Sequence, residues 1–475
     1  MAGATTRTTR VLVIGTGPGG AACAALLSKA GFEVTVLERN EFAGGKCATH
    51  QSRGFTYDMG VHISTRGEKG PHGEVARRVG ADLRFLQRDP FLRLILGNKE
   101  HRLPLDFKTL RALYTLARKI GVRASAFPGL YRMIRHLFSM QDEEKAAKFD
   151  NLPLKDYVSR FTRDPQAHLF VNLFCCFFLV VPYERASAGE FGYCFAHALA
   201  DASWGYPEGG FQEISNSFLR AARRDGAVVR FGEGARRILV KDNRAWGVET
   251  DKGVYEAEIV VSNAGLRKTV ELAGRENFPK EYAERVFSLA DSFTGITVKF
   301  ALREKFLDDP FILYTPGPEQ ASSFLGNLAG GRCPSEVALF VPVPSNLDSR
   351  LAPPGKQLVI AGTMGPPHLS MSEVAAAELD LVEETVKRLF PGIEDRIEWS
   401  LRTDLATVNG LSGRDSADVV GIAQTFDQCG RLRPRSALPI ANLYQVGSDA
   451  GGKGVGTELA VDSALRLADL LTGAA

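Results

Sequence analysis

Three glycines and one acid near the start of the chain have the spacing of a dinucleotide-binding turn. Gly15, Gly17 and Gly20 form the pattern G-x-G-x-x-G, directly after the apolar run 11–14. The first glycine permits a tight turn, the second lets the backbone approach a pyrophosphate, and the third lets the next helix pack on the strand. Glu38 follows 18 residues after the last of them, where a carboxylate can accept hydrogen bonds from an adenosine ribose. The predicted chemistry is the binding of an adenine dinucleotide.

The elements that must position these residues are a strand, a helix and a second strand. The spacing predicts strands at 11–14 and 34–37 and a helix over 21–30, which Gly31 ends. The N-terminus of that helix, with its positive dipole end, would face the phosphates. An ordinary βαβ unit with a Gly-rich turn is the alternative, and the order of strand, turn, helix, strand and terminal acid favours the dinucleotide site.

Three further motifs resemble those of one flavoprotein group. Residues 38–46 read E-R-x-x-x-x-G-G-K, residues 55–60 read F-x-x-D-x-G, and residues 204–210 read W-G-x-P-x-G-G. These segments resemble the FAD-dependent phytoene desaturases, carotenoid isomerases and retinol saturases of the flavin amine oxidoreductase superfamily. The resemblance implies a noncovalently bound FAD. It also implies an α/β fold, with a Rossmann-like FAD-binding domain of the glutathione reductase 2 type, an inserted α+β substrate domain and a helical lid.

The resemblance carries the cofactor contacts over to particular positions. By resemblance to those proteins, Ala235 would pair with adenine through its backbone and Asp449 would lie near the ribityl and pyrophosphate. The first amides of the final helix would face the flavin. The complete set of predicted cofactor-binding residues is Gly15, Gly17, Pro18, Gly19, Gly20, Glu38, Arg39, Gly44, Gly45, Lys46, Gly60, Val61, His62, Ala235, Asn263, Ala264, Gly447, Asp449, Gly456, Thr457, Glu458 and Leu459. No metal site is predicted.

His62 is the predicted catalytic acid or base. Its segment passes beside the flavin in the similar families, and a histidine titrates near neutrality. Gly60 would allow close approach of the backbone to the flavin ring. The alternative is a hydrogen-bonded histidine without a chemical role.

The length of 475 residues favours two domains. The motifs assign 1–75, 205–286 and 405–475 to a discontinuous FAD-binding domain. Residues 76–204 and 287–404 are assigned to a substrate-binding domain, with its helical part over 107–200.

One stretch of the substrate domain is almost entirely apolar. Residues 169–183 read LFVNLFCCFFLVVPY, in which only Asn172 is strongly polar. The run is too short to span a bilayer, so it predicts a buried helix that lines an apolar cavity for a long hydrophobic ligand. Core packing alone is the alternative. The phenylalanines expected on that cavity are Phe170, Phe174, Phe177 and Phe178.

The segment 107–141 is basic and amphipathic. Apolar residues recur at helical spacing, and the basic residues among them are Lys108, Arg111, Arg118, Lys119, Arg123, Arg132 and Arg135. Two interpretations stay open: a pair of lid helices that cover the substrate domain, and a helix pair that lies on an anionic membrane surface.

Composition limits the remaining classes of function. The net charge of +3 gives no indication of nucleic-acid binding. The seven cysteines are scattered, which argues against structural zinc and disulfides and fits a reducing compartment. Residues 1–10 lack the apolar core of a signal peptide. We therefore expect a cytoplasmic protein that can be peripheral on a membrane.

The predicted activity is desaturation or saturation of C–C bonds by hydride transfer to or from flavin N5. The substrate would be hydrophobic, either isoprenoid and carotenoid-like or alicyclic, and the electron partner a quinone, oxygen or a redox protein. Two departures from the phytoene desaturases argue against phytoene itself as the substrate. Those proteins commonly have a basic residue where this chain has Glu208, and they have a Thr-x-Pro-Gly run that residues 448–451 lack. The alternatives are a flavin-dependent isomerase without net redox change, a flavin amine oxidase, and a flavin-bearing partner subunit without turnover.

Overall fold

The structure is a computed structural model of the chain. It describes residues 8–103, 110–317, 324, 326–328, 330–414, 416 and 418–473, with only the backbone for 110–113. The strands, in chain order, are β1 Arg10–Ile14, β2 Glu33–Leu37, β3 Thr49–Ser52, β4 Phe55–Asp58, β5 Phe85–Leu86, β6 Leu92–Leu96, β7 Lys99–Leu103, β8 Tyr206–Pro207, β9 Val228–Arg230, β10 Ala235–Lys241, β11 Arg244–Thr250, β12 Gly253–Glu256, β13 Ile259–Ser262, β14 Thr294–Leu302, β15 Phe311–Thr315, β16 Leu339–Pro342, β17 Gln357–Gly365, β18 Ile397–Thr403 and β19 Leu443–Gln445.

The helices fall between these strands. They are α1 Pro18–Lys29, α2 Pro71–Val79, α3 Leu110–Lys119, α4 Phe127–Ser139, α5 Glu143–Ala147, α6 Leu154–Ser159, α7 Pro165–Leu179, α8 Ala188–Asp201, α9 Gln212–Arg224, α10 Leu266–Leu272, α11 Lys280–Ser288, α12 Ser372–Leu389, α13 Leu405–Ser412 and α14 Gly456–Thr472.

A five-stranded parallel sheet holds the N-terminal motif. Its order is β19-β13-β1-β2-β9. Val11 and Val13 pack against a helical layer that contains α1, α2, α9 and α14, whereas Leu12 and Ile14 pack against the antiparallel sheet β10-β11-β12. A strand covered on both faces is a continuous apolar run, which is why the sequence identified it.

The predicted strand–helix–strand unit is confirmed as β1, α1 and β2. The helix begins at Pro18, earlier than the predicted residue 21, because proline fits the first turn of a helix, where an N–H has no intrahelical partner. The Rossmann-like α/β class is therefore present in the parallel sheet and its helices.

A seven-stranded mixed sheet forms the second body, in the order β18-β14-β17-β16-β15-β6-β7. Helix α12 packs on one face, with Leu379, Val382 and Val386 in its core. Helices α4, α7 and α8 cover the other face, where Leu94 and Leu313 meet Phe174.

The strands of the two sheets separate along the predicted division. Those of the parallel sheet lie within 1–75, 205–286 and 405–475, and those of the mixed sheet lie within 76–204 and 287–404. Helix α2, however, crosses the predicted boundary at residue 75 and ends at Val79, which packs in the same core as α1. The division into an FAD-binding and a substrate-binding domain stays a prediction.

Candidate functional site

A cavity of about 530 Å³ lies between the two sheets. It begins at the carboxyl ends of β1, β2, β13 and β19, the edge at which open α/β sheets bind ligands. It continues over the mixed sheet, beneath α7. Of the predicted cofactor-binding residues, all except Gly20 and Leu459 line this cavity.

The glycine-rich turn presents backbone to the cavity. Gly15 has φ +92°, in the region that favours glycine, and its N–H donates to the carbonyl of Leu37 at 2.8 Å. A Cβ at Gly20 would lie 2.1 Å from the carbonyl oxygen of Gly15. Gly20 therefore allows the close packing of α1 on the strand and does not reach the cavity. No side chain of the described residues caps α1 at Gly17, so the amides of its first turn are available to an anion.

Glu38 ends β2 with its carboxylate held in place. Oε2 accepts hydrogen bonds from the N–H of Thr16, at 2.9 Å, and from its hydroxyl, at 2.5 Å, while Oε1 accepts one from the N–H of Asn40 at 2.9 Å. The residue is 5% exposed and lines the cavity. A buried carboxylate with remaining lone pairs on a cavity wall is suited to accept hydroxyl donors.

The lysine of the G-G-K run is engaged within the protein. Lys46 Nζ contacts Oδ1 of Asp418 at 2.7 Å and its carbonyl oxygen at 2.8 Å. Burial would raise the pKa of Asp418, but the charges of Arg414 and Lys46 outweigh it and hold that pKa well below its usual range. Gly60 lines the cavity, its predicted approach to the flavin stays a prediction, and it also has a structural role. A Cβ there would lie 2.8 Å from the carbonyl oxygen of Lys46, so the glycine lets two chain segments pass closely.

The C-terminal motif contributes backbone to the cavity, while its acids hold other segments. Asp449 is buried and accepts hydrogen bonds from the N–H groups of Leu266 (2.9 Å) and Ile422 (3.0 Å). Its third partner is the guanidinium of Arg414, at 2.8 Å. Asp449 therefore ties three segments together, in addition to lining the cavity.

Helix α14 begins at the cavity with Gly456 and Thr457. The carboxylate of Glu458 accepts hydrogen bonds from the N–H groups of Thr65 and Arg66, at 3.0 Å each. Leu459 is completely buried in the protein interior and is absent from the cavity wall. The helix thus offers its first backbone groups to the cavity, and the side chains of Glu458 and Leu459 serve packing.

A buried ion cluster holds the loop before α14, and sequence reasoning missed it. Lys453 Nζ lies 3.3 Å from Glu190 and 3.7 Å from Asp150, and Arg433 lies 3.4 Å from Glu190. Burial would raise the pKa of Glu190, but the charges of Arg433 and Lys453 lower it. These charges come from segments separated by hundreds of residues, and no local spacing connects them.

His62 lies on the cavity wall, stacked on Phe340 with ring centroids 5.9 Å apart. Both ring nitrogens are fully buried and have no hydrogen-bond partner among the described residues. Burial, followed by the charge of Lys299, holds the pKa of His62 well below its usual range. The geometry therefore gives no support to a proton-transfer role for His62 in this conformation.

Lys299, which the sequence did not single out, is a buried amine beneath this part of the site. It is 0% exposed, and Nζ donates to the carbonyl of Met59 (3.3 Å) and to the hydroxyls of Thr297 (2.5 Å) and Thr403. Burial lowers the pKa of Lys299 to about 7, and the charge of Asp58 opposes that shift. A lysine in a run of strand residues is the only local signal, and it does not distinguish a buried amine from an exposed one.

The far part of the cavity is largely apolar, although Thr297, Thr315 and Thr363 of the mixed sheet also line it. Helix α7 forms its roof with Leu169, Leu173 and Phe177, and the mixed sheet forms its floor with Leu313 and Phe340. The predicted buried helix is present as α7, but it spans Pro165–Leu179, so it begins before the apolar run and ends at Leu179 instead of residue 183.

The prediction for the four phenylalanines was half wrong. Phe177 and Phe178 line the main cavity, whereas Phe170 and Phe174 line a separate apolar cavity of about 70 Å³ under α3 and α4. A helix that is apolar all round presents different residues to each neighbour, and the sequence does not assign them.

The apolar sides of α3 and α4 point inward. Leu116, Ile120, Met133 and Leu137 are buried on the smaller cavity. On the outer side the exposed basic residues of the described segment are Arg118, Lys119, Arg123, Arg132 and Arg135. Lys108 lies outside the described residues, and so does the side chain of Arg111.

Two kinds of site or segment are absent from the described part of the chain. No group of three or more His, Cys, Asp or Glu residues there has the arrangement of a metal site. No helix there is both long enough and apolar enough to cross a bilayer.

The sequence matches the family model of flavin containing amine oxidoreductases over residues 19–472. It is 26% identical to a zeta-carotene-forming phytoene desaturase of Myxococcus xanthus, over 96% of this chain and 93% of that protein. It is 24% identical to the chloroplastic prolycopene isomerase 2 of an Oncidium hybrid cultivar, over 94% of this chain and 81% of that protein.

Two solved structures have the same fold. An oxidoreductase from Methanosarcina mazei superposes with a TM-score of 0.75 at 22% identity, covering 96% of this chain and 99% of that one. Putrescine oxidase bound to putrescine superposes with a TM-score of 0.70 at 16% identity, covering 98% of this chain and 99% of that one.

Proposed function

The chain belongs to the flavin containing amine oxidoreductase family and is an FAD-dependent oxidoreductase, and from this premise we propose that it forms or removes C–C double bonds in a long hydrophobic substrate. The observation that carries the proposal is the continuity of one cavity. It joins the glycine-rich edge of the parallel sheet to the apolar chamber beneath α7. A dinucleotide and an apolar molecule would thus meet in a single space.

The residues present fit FAD. Uncapped amides at the start of α1 would face its pyrophosphate, and the carboxylate of Glu38 would accept its ribose hydroxyls. Ala235 and Arg39 lie on the wall near Glu38 and would contact the adenosine. When bound, FAD supplies the exchange of hydride with the substrate.

The protein's own part is to bind, orient and dehydrate. Burying an apolar chain in the chamber gives roughly 25 cal/mol per Å² of surface removed from water. Leu173 and Phe177 above, with Leu313 and Phe340 below, confine the chain to the layer between the helix and the sheet. Such confinement positions one bond for reaction, and orientation of this kind is one of the contributions that a protein makes where the cofactor carries the chemistry.

An amine oxidase activity is less well supported by the chamber. The acids on the cavity wall are Glu38, Asp449 and Glu458, and all three accept hydrogen bonds from nearby backbone N–H groups. These acids follow strands of the parallel sheet or begin α14, and among the described residues no carboxylate lies on the walls that α7 and the mixed sheet give the chamber. The similarity to prolycopene isomerase 2 keeps isomerisation as the second candidate.

Anaerobic mixing with a polyisoprenoid that carries isolated double bonds tests the proposal. We expect bleaching of the oxidised flavin band together with a new conjugated-polyene band in one turnover. Bleaching by putrescine but not by polyisoprenoids would replace the proposal with amine oxidation. A changed cis–trans ratio, with pre-reduced flavin and no net redox change, would replace it with isomerisation. The electron partner would be a quinone, oxygen or a redox protein, because the sequence carries one G-x-G-x-x-G, which FAD uses.

We also propose that α3 and α4 attract anionic membranes through charge. Their apolar sides are used in packing, so the outer surface would bind through Arg118, Lys119, Arg132 and Arg135. Tyr114 and Tyr131, 49% and 41% exposed, add amphipathic rings at the same surface. Each cation near an anionic surface contributes about 1 kcal/mol.

Liposome co-sedimentation tests this attachment. We expect wild-type protein to bind anionic vesicles at low salt and to dissociate as salt rises. Arg118→Glu with Lys119→Glu should abolish binding. The matched control is Lys241→Glu with Arg244→Glu, two exposed cations on the β10–β11 hairpin, which changes the net charge equally and should leave binding intact. Equal loss in both pairs would mean that net charge, and not this surface, governs binding.

A further inference from the structure

One amide interrupts the apolar roof of the chamber. Asn172 lies on α7, lines the main cavity and is 9% exposed. Its neighbours on the same wall are Leu169, Leu173 and Cys176. An amide in apolar surroundings is unfavourable unless its donors and acceptors are paired.

The orientation of this amide is determined by its surroundings. Oδ1 of Asn172 faces the N–H of Tyr183 at 3.4 Å and the thiol of Cys176, also at 3.4 Å. A backbone N–H only donates. Burial raises the pKa of the Cys176 thiol to about 12, so it keeps its proton and can donate as well. The N–H of Tyr183 requires an oxygen opposite it, which places Oδ1, and not Nδ2, on this side of the amide.

The other branch of the amide, Nδ2, remains without a partner. Nδ2 makes no hydrogen bond with any of the described residues. It is also not fully enclosed by protein atoms, so part of its surface is accessible. Since Asn172 lines the main cavity, Nδ2 presents its N–H groups to the chamber. The roof of the chamber is thus apolar apart from one fixed hydrogen-bond donor, while Thr315 and Thr363 of the mixed sheet line the same cavity.

We propose that the substrate carries a hydrogen-bond acceptor, a carbonyl, ether or hydroxyl oxygen, that binds Asn172 Nδ2. This inference rests on the proposed function and specifies its substrate class: an oxygenated isoprenoid or alicyclic compound rather than a hydrocarbon. A hydrocarbon would bury the amide donor unpaired, whereas an oxygen would pair it. An ammonium group has only N–H donors, so it could not accept a hydrogen bond from Asn172 Nδ2.

The test measures binding without turnover, so that it is independent of the reaction. FAD-loaded protein is titrated with geranylacetone and with the hydrocarbon in which CH₂ replaces its carbonyl, and flavin absorbance changes give each Kd. Each affinity is divided by the ligand's own partition from water into alkane, which removes the difference in hydrophobicity. We expect a normalised preference for the ketone of about tenfold.

Variants then assign the preference. Asn172→Leu should abolish it, while Leu169→Met, an apolar change on the same wall, should preserve it. Flavin content and melting temperature show whether Asn172→Leu is folded. If it is not, the normalised preference of the wild-type protein for the ketone still tests the inference.

Three results would overturn the inference. Equal normalised affinities in the wild type would refute the acceptor while leaving the proposed function intact. Weaker FAD binding in Asn172→Leu with an unchanged preference would assign the amide to the cofactor. If neither ligand perturbed the flavin, the proposed hydrophobic substrate would fail, and this inference with it.

Discussion

Replacing Lys299 with methionine should change how stability depends on pH. In the folded protein burial lowers the pKa of Lys299 to about 7, from 10.5 for an ordinary lysine. Between these values the unfolded chain binds the proton and the folded protein does not. Stability therefore rises with pH through this window, and below pH 7 the full cost of a buried cation is present. The methionine side chain of Lys299→Met binds no proton, so the unfolding free energy of this variant lacks this pH-dependent contribution.

The size of the effect follows from the two pKa values. Between pH 7 and pH 9 the wild type should gain about 2 kcal/mol of unfolding free energy relative to Lys299→Met. Glu378, a buried carboxyl on α12, acts in the opposite direction. Burial raises its pKa to about 9, so its contribution falls over the same range. The wild-type curve alone would thus be nearly flat, and only the difference between the two proteins isolates Lys299.

Calorimetric melting of the FAD-loaded proteins at pH 7, 8 and 9 measures this difference. For 475 residues the entropy of unfolding is about 1 kcal/mol/K, so 2 kcal/mol corresponds to roughly 2 °C. Between pH 7 and pH 9 the melting temperature of the wild type should rise by that amount relative to the melting temperature of Lys299→Met. Lys280→Met, whose parent side chain is 83% exposed, is the control and should follow the wild type. An identical difference in melting temperature at pH 7 and pH 9 would refute a lowered pKa for Lys299.

Three other substitutions test separate parts of the protein. Glu38→Ala removes the acceptor of Thr16 and Asn40 and the proposed charged partner of the ribose, so the Kd for FAD should rise by about tenfold or more in a fluorescence titration; an unchanged Kd would show that FAD does not contact this carboxylate. Glu378→Gln should gain about 2 kcal/mol on the wild type from pH 7 to pH 9, measured by the same melting series, because it lacks a carboxyl that burial keeps protonated; parallel curves would contradict that assignment. His62→Ala should leave the rate of anaerobic flavin reduction within about threefold, since neither ring nitrogen is exposed to the cavity; a loss of about 100-fold or more would restore the predicted acid–base role.

The cofactor edge could be predicted because its signals are local. The turn at Gly15–Gly20 follows its strand directly, and Glu38 closes the next strand of the same unit. Strand, turn and helix preferences act over a few residues, so one segment of sequence contains the whole unit. The apolar composition of 169–183 determined that α7 would be buried, for the same reason.

Only the tertiary structure decided how the polar side chains pair. Lys46 meets Asp418 across 372 residues, and Glu458 receives the N–H of Thr65 across 393. It also decided which side of α7 carries Asn172 into the chamber and which side carries Phe170 into the smaller cavity. Hydrogen bonds and ion pairs act over about 3–4 Å in space, whatever the separation along the chain. The identity of a partner therefore depends on how the two sheets and the helices pack, which local spacing does not encode.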